Sequence, residues 1–317
     1  MKYCLLALAC AAFSFAEQSS SVLYTVDLNG HVVPEAQYVA HDGDKTLLNE
    51  SINGHQVPLQ STEVRVLIDQ PNHRVTETVV RKYDPTGRLA ATERTLADEE
   101  KRPGGSTLHA TVFRSDLNGN MPESERRVVE TRVQGATTTA AVTVSRPGLN
   151  GSLEPVETRE VVTVTEGDTI HETEDIERPS GNGSAFHEVA RQVREETKTP
   201  GKTVSSTALY ELDYLGKMAL SRQDAATVNK TGPGVEVTEL NIYAPSAYGI
   251  PREANGAPQL REQQTIVRQE SGGAVTETTA VRRPTLADPN RLGEASTIST
   301  VVCTGVCKGP LPAAGKP

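Results

Sequence analysis

Near the middle of this chain the same short block returns about every 32 residues. Its copies are Arg81-Lys-Tyr-Asp-Pro-Thr-Gly87, Phe113-Arg-Ser-Asp-Leu-Asn-Gly119, Ser145-Arg-Pro-Gly-Leu-Asn-Gly151, Glu177-Arg-Pro-Ser-Gly-Asn-Gly183 and Tyr210-Glu-Leu-Asp-Tyr-Leu-Gly216. A second glycine sits about halfway along each block: Gly104, Gly135, Gly167, Gly201 and Gly234. A fixed period of this size is the signature of a repeat architecture. Such an array is one quasi-linear domain whatever its length, so 317 residues do not demand two domains.

Between the glycines the chain alternates with period two. In Arg127–Val133, Val129, Thr131 and Val133 point one way, and Val128, Glu130 and Arg132 the other. Val and Thr enrichment on that period predicts strand. Only Arg191–Glu196 hints at a helix. The turns agree. Gly30, Gly54, Gly87, Gly119, Gly151, Gly183, Gly216 and Gly256 are the structural turn positions, and most follow Asn. Asn-Gly predicts a two-residue type I′ hairpin turn. Each repeat is then two strands of roughly 12 residues and two turns. The fold expected is all-β, an antiparallel meander of long β-hairpin repeats. It has about twelve to fourteen strands in an extended or curled twisted sheet. The register is looser before Tyr83 and after Tyr243.

Hydrophobic residues are 36% and aromatics 4%, with no Trp, so a thick core is not available. The formal net charge of −9 argues against nucleic acid as a partner. Lys2, the apolar run Leu5–Phe13 and the small residues of Ser14-Phe-Ala16 predict a signal peptide cut after Ala16. Ala7-Leu-Ala-Cys10 offers a lipoprotein reading of the same segment. The expected organisation is signal peptide 1–16, repeat domain 17–302 and a tail 303–317. Secretion, the periplasm or the cell surface is the expected location. No membrane span is expected after signal removal. An outer-membrane barrel needs an apolar lipid-facing band and aromatic girdles, and it is set aside because charges fall on both alternation phases. In an oxidising compartment, Cys303 and Cys307 are a possible local disulfide.

The candidate chemistry is sparse. Asp27-Leu-Asn-Gly30 and Asp116-Leu-Asn-Gly119 resemble the opening of a calcium loop but lack its further acidic ligands. His31, His41, His55, His73, His109, His171 and His187 show no metal-ligand spacing. Nothing in the sequence brings Ser, His and Asp together as a nucleophile with its base. No catalytic, metal or cofactor site is therefore assigned, and no enzymatic activity is expected. Thr137–Thr139 and Thr276–Thr279 suggest hydroxyl ladders on a wet face. Asn150, Asn182 and Asn229 stand in glycosylation-type triplets.

Arg81-Lys-Tyr-Asp-Pro-Thr-Gly-Arg-Leu89 resembles the YD repeat of the RHS group of secreted and surface proteins, with Tyr83, Asp84, Gly87, Arg88 and Leu89 in the matching places. The resemblance implies β-hairpins used for encapsulation, adhesion or carbohydrate contact. The functional expectation is a structural or interaction protein, an adhesin or scaffold, at the cell envelope or outside the cell. Its partner is a protein or a glycan, and self-association through sheet edges is possible. The alternative is a carbohydrate-binding module that stacks sugars on Tyr210, Tyr214 and Tyr243.

Overall fold

The computed structural model describes residues 19–26, 32–41, 45–52, 55–84, 86–181, 185–245, 258–285 and 291–305. The expected signal peptide, Gly30, Gly54, Gly183, Gly256, Cys307 and the remainder of the tail lie outside these residues.

Among the described residues period-two alternation becomes strand, and so does Arg191–Glu196, where a helix was hinted at. The strands are β1 (Ser19–Val26), β2 (Val32–His41), β3 (Lys45–Ile52), β4 (His55–Gln70), β5 (His73–Tyr83), β6 (Leu89–Arg102), β7 (Gly105–Arg114), β8 (Glu123–Gln134) and β9 (Thr137–Pro147). They continue as β10 (Leu153–Glu166), β11 (Thr169–Pro179), β12 (Phe186–Thr199), β13 (Lys202–Leu212), β14 (Met218–Gly232), β15 (Val235–Ala244), β16 (Gln259–Ser271), β17 (Ala274–Arg282) and β18 (Ser296–Thr304). These 18 strands exceed the expected twelve to fourteen. The loosely periodic segments at both ends form strands too, because hairpin pairing needs alternation and turns but not a constant repeat length.

Each strand pairs antiparallel with its sequence neighbours, and β18 returns to β1 with Ser20 opposite Thr304 and Thr25 opposite Ser299. The meander thus closes into a ring. The expectation of free edges for self-association is corrected here. Among the described residues every strand has a partner on both sides, and closure is the one arrangement that removes edges altogether. The cluster of buried apolar residues lies on this seam: Leu23 of β1, Val301 and Cys303 of β18 and Val275 of β17. Leu23 stands directly opposite Val301, and Val275 opposite Cys303. Burial of these side chains stabilises the one contact that chain connectivity does not supply.

The two rims differ. One carries the tight two-residue turns Pro71-Asn72, Pro103-Gly104, Gly135-Ala136, Gly167-Asp168, Pro200-Gly201, Pro233-Gly234 and Gly272-Gly273. The start of β1 and the end of β18 lie on this turn rim. The other rim carries the longer connections, such as 115–122 and 245–258. The expected type I′ turns at Asn-Gly are corrected. On the long rim Asp84, Asp116, Gly148 and Asp213 each accept a hydrogen bond at the carbonyl from the glycine three residues on. Each also donates its amide to the carbonyl four residues on, at 2.8–2.9 Å. This frame is a three-residue loop in which the glycine supplies the left-handed backbone, with φ +79° at Gly87, Gly119 and Gly151 and +74° at Gly216.

Every long-rim hairpin carries a β-bulge. The extra residue falls on the second strand, at Thr92 between the pairs Val80–Glu93 and Arg81–Ala91, and again at Ser124, Val156, Val189 and Ser221. These five positions step by 32, 32, 33 and 32 residues, as the repeat does. Thr92, Ser124 and Ser221 donate their hydroxyls back to the carbonyls of Val80, Val112 and Leu209 at 3.0–3.3 Å. A bulge bends its strand and increases its twist, and repetition of the bend around the sheet is a recognised route to closure.

Following the register around the ring gives two faces. The first holds Ser61, Val75, Val79, Arg94, Thr111 and Arg126. The second holds Glu125, Val144, Glu174, Ile176, Ala190 and Val301. Buried residues sit on the first face in β4 and β5, and on the second from β8 round to β1. Both faces carry charge, as the sequence predicts.

Closure is directly testable. Tyr24 faces Thr300 across the seam, and Cα atoms of antiparallel pairs lie within disulfide reach. A Tyr24→Cys/Thr300→Cys chain is expected to form an additional intramolecular disulfide on oxidation, seen as a faster-running monomer on a non-reducing gel. Cross-linking only between molecules would show an open sheet.

Candidate functional site

The long rim concentrates the recurring polar chemistry. Asp84, Asp116 and Asp213 open three of its loops. Asp84 Oδ1 accepts the amides of Thr86 and Arg88 at 2.8 and 2.9 Å and the Thr86 hydroxyl at 2.7 Å. Asp116 Oδ1 accepts the amides of Asn118 and Asn120, and Asp213 Oδ1 those of Leu215 and Lys217, at 2.8–2.9 Å. The loop conformation is held by one carboxylate satisfying two backbone donors that no strand pairs. Asp27–Gly30, the other segment with a calcium-like opening, lies outside the described residues. The Asp116 carboxylate is engaged by its own loop, and no cluster of three metal-ligating side chains occurs among the described residues.

The hydroxyl of Thr86, then the amide of Arg88, hold the Asp84 carboxyl below its ordinary range. The side-chain amide of Asn120, with the loop's backbone amides, does the same for Asp116. A depressed folded-state pKa adds stability that is present above the unfolded value of about 3.9 and is lost as pH falls through the folded value. The Thr86 and Arg88 amide resonances are therefore expected to shift together in an acid titration with a midpoint below that of a free aspartate. Asp84→Asn should abolish the transition.

Just below the loops runs a ladder of cross-strand ion pairs with a fixed separation of 21 residues. Arg114 donates to Glu93, Arg146 to Glu125, Arg178 to Glu157 and Arg283 to Glu262. Each pair joins the bulged strand to the strand beyond it. Glu125 is the most enclosed of these, with 6% of its surface exposed, and it is held by Arg127 and by two nitrogens of Arg146 at 2.9–3.1 Å. Arg146→Ala leaves a buried carboxylate short of donors and is expected to cost about 1.5–3 kcal/mol. Arg114→Ala acts on a more exposed pair and should cost about 0–1 kcal/mol. Denaturant unfolding of the two variants checks the difference.

The aromatic side chains gather at the same rim. Tyr24, Phe113, Tyr210 and Tyr243 occupy one repeat position, the residue beside the bulge on the unbulged strand. All four lie on the first face by register. Arg94 stacks over the Phe113 ring at 5.4 Å. Tyr210 and Tyr243 are thus brought together, two strands apart. Tyr214 stands at a loop tip, 93% exposed. The sequence signal for this alignment was available, since Phe113 and Tyr210 each open their block.

Of the expected turn glycines, Gly87, Gly119, Gly151 and Gly216 lie at loop turns of this rim. Cys303 is disulfide-bonded. The Thr137–Thr139 and Thr276–Thr279 runs fall in β9 and β17. His73 Nε2 and Asp98 Oδ1 meet at 2.9 Å across β5 and β6.

No family model matches the chain, and no curated protein matches it. Solved structures do. A triply substituted mutant of the Rh. blastica porin shares 9% identity over 92% of this chain and 99% of its own, with a TM-score of 0.52. Salmonella typhi OmpF in complex with daunomycin shares 6% over 92% and 97%, with a TM-score of 0.51. A loop-deletion form of OmpT, an outer membrane protein of Vibrio cholerae, is similar at a TM-score of 0.48 and 9% identity over 92% and 99%. At these identities the likeness is one of fold.

Two expectations are corrected by these findings. The absence of a membrane span does not stand, because the fold resembles that of outer-membrane barrels, which cross a membrane with strands and leave no helical signature. The same likeness reverses the dismissal of a barrel architecture. The expectation of no enzymatic activity is also withdrawn. It rested on nothing in the sequence bringing Ser, His and Asp together, yet strand pairing sets residues 25 apart side by side, as at His73 and Asp98.

Proposed function

We propose that this chain serves in the cell envelope as a structural and interaction barrel, a ring of repeated hairpins that presents its long rim to a partner. The asymmetry of the rims carries this reading. Two-residue turns and both ends of the strand order lie on one side. Loops with fully exposed tips, Leu117 on the loop pinned by Asp116 and Leu149 on the loop opened by Gly148, lie on the other. Short turns on one side and longer loops on the other are the arrangement of envelope barrels. The leader read in residues 1–16 supports export. The YD-type block Arg81–Leu89 supports an adhesive or scaffolding role, since its residues build one of the presented loops.

A second reading is a pore across the outer membrane, favoured by ring closure and by the likeness to porins over 92% of the chain. Against it stands the wall itself. Arg94, Asp98 and Glu130 lie on the first face, and Glu125, Glu174 and Glu196 on the second. Lysine or arginine at a bilayer midplane costs about 2–4 kcal/mol each, less for acids.

The test is protease shaving of intact cells expressing the full chain, followed by fractionation. The chain is expected in the envelope fraction with cuts at the long rim, near Leu117, Leu149 and Tyr214, and none at the turn rim. Recovery in the cytoplasm, or equal cutting of both rims, would sink the proposal. Single-channel conductance from the purified chain in a planar bilayer would decide for the pore.

A further inference from the structure

We infer that the first face of β13–β16, at the long rim, binds a neutral oligosaccharide. The inference rests on the interaction role proposed above and names the class of partner.

The face here differs from the rest of the wall. First-face positions run Val204, Ser206, Ala208 and Tyr210 on β13, and Leu220, Gln223, Ala225, Thr227 and Asn229 on β14. They continue as Val235, Val237, Glu239, Asn241 and Tyr243 on β15, and Leu260, Gln263, Thr265, Val267 and Gln269 on β16. Glu239 and, at the turn rim, Lys202 opposite Asn229 are the charged positions of these four strands, and Arg191, paired with Asp175 and Glu188, and Arg282 stand at the borders of the stretch on β12 and β17. On β8 the same face carries Arg126, Glu130 and Arg132. Between the two tyrosines, Leu220, Gln223, Ala225 and Asn241 are uncharged and offer an anionic ligand no ion-pairing partner. A strongly apolar ligand would strand the amides without partners.

What the stretch does offer is paired aromatics with neutral amides between them. Tyr210 and Tyr243 hold the same repeat position two strands apart, about 9.6 Å along the ring. Tyr243 stands opposite Gln223 on one side and Leu260 on the other. Tyr210 stands opposite Leu220. Gln263 Nε2 donates to Asn241 Oδ1 at 3.1 Å, which fixes that pair and leaves one amide hydrogen on Gln263 and both on Asn241. All of these residues are half-buried. A sugar ring has the matching chemistry: an apolar face of C–H groups for an aromatic ring, and a rim of uncharged hydroxyls that both donate and accept. Tyr214 sits on the loop above this stretch, but by itself it belongs to the loop tip and not to the wall.

The experiment is isothermal titration calorimetry of the purified full chain with three probes: maltohexaose, cellohexaose and chitohexaose. Saturable binding of at least one is expected. Tyr210→Ala and Tyr243→Ala should each weaken it about tenfold, while Tyr243→Phe keeps it. If either alanine variant loses its strand-rich circular dichroism spectrum, Gln223→Glu serves instead, placing a charge on the patch, and should weaken binding likewise. No binding of any probe to the folded chain overturns the inference, as does binding that these substitutions leave unchanged. Loss of association with lipid vesicles in the alanine variants, with sugar binding unaffected, overturns it in favour of a membrane-interface belt. Fractionation of the Tyr210→Ala/Tyr243→Ala cells separates the two proposals. A chain still in the envelope, with no sugar bound by the parent, means that only the oligosaccharide assignment fails.

Discussion

One extra residue per hairpin governs this structure. Without bulges, two strands of equal length would pair evenly, and the array would extend as a gently twisted ribbon with two exposed edges. The bulge at Thr92 returns at Ser124, Val156, Val189 and Ser221, and each copy bends the wall in the same sense. Where the bulge residue is Ser or Thr, its hydroxyl returns to the carbonyl across the ladder and satisfies an acceptor near the disturbed pairing. The loops, the ion pairs and the aromatic positions are all set relative to that residue.

Charge gives the wall a second source of order. The chain has too few bulky side chains for a thick core, and the small buried clusters reflect this. Cross-strand pairs instead tie strand to strand at matching heights: Glu93 with Arg114, Glu125 with Arg146, Glu157 with Arg178 and Glu262 with Arg283. Each contributes modestly on an exposed sheet. Their repetition specifies register, because a one-residue slip would turn every partner to the opposite face. The stretch between Tyr210 and Tyr243 is distinctive because there the charges give way to the neutral side chains of Leu220, Gln223, Ala225 and Asn241.

The rims divide the work. Tight turns such as Pro103-Gly104 also link hairpin to hairpin, the Gly104 carbonyl accepting the Val133 amide at 2.7 Å. The Gly201 carbonyl does the same for Lys230 at 2.9 Å. That rim is knit to its neighbours by the backbone. On the long rim, Asp84, Asp116 and Asp213 each hold their own loop, and the Gly148 loop keeps the same backbone frame with Asn150 accepting the Ser152 amide, so a loop can vary in sequence without disturbing the wall. Loops positioned on a rigid scaffold are where binding residues commonly collect.

Much of the unit was legible locally. Alternation in Arg127–Val133 gave strand, the halfway glycines gave the tight turns, and the block Asp116–Gly119 gave a loop. The turn type was not legible, because Asn-Gly alone does not reveal that Asp116 captures the amides of Asn118 and Asn120. The bulges were hidden because a period of 32 divides as readily into equal halves as into unequal strands. The sequence by itself determined an exported-looking, charge-rich array of hairpins, since those features depend on residues within one repeat. Only the tertiary structure decided that Leu23 meets Val301 and that the array is a ring. That contact joins residues at opposite ends of the chain, and its existence depends on the summed bend of all the hairpins between them, which no single repeat encodes.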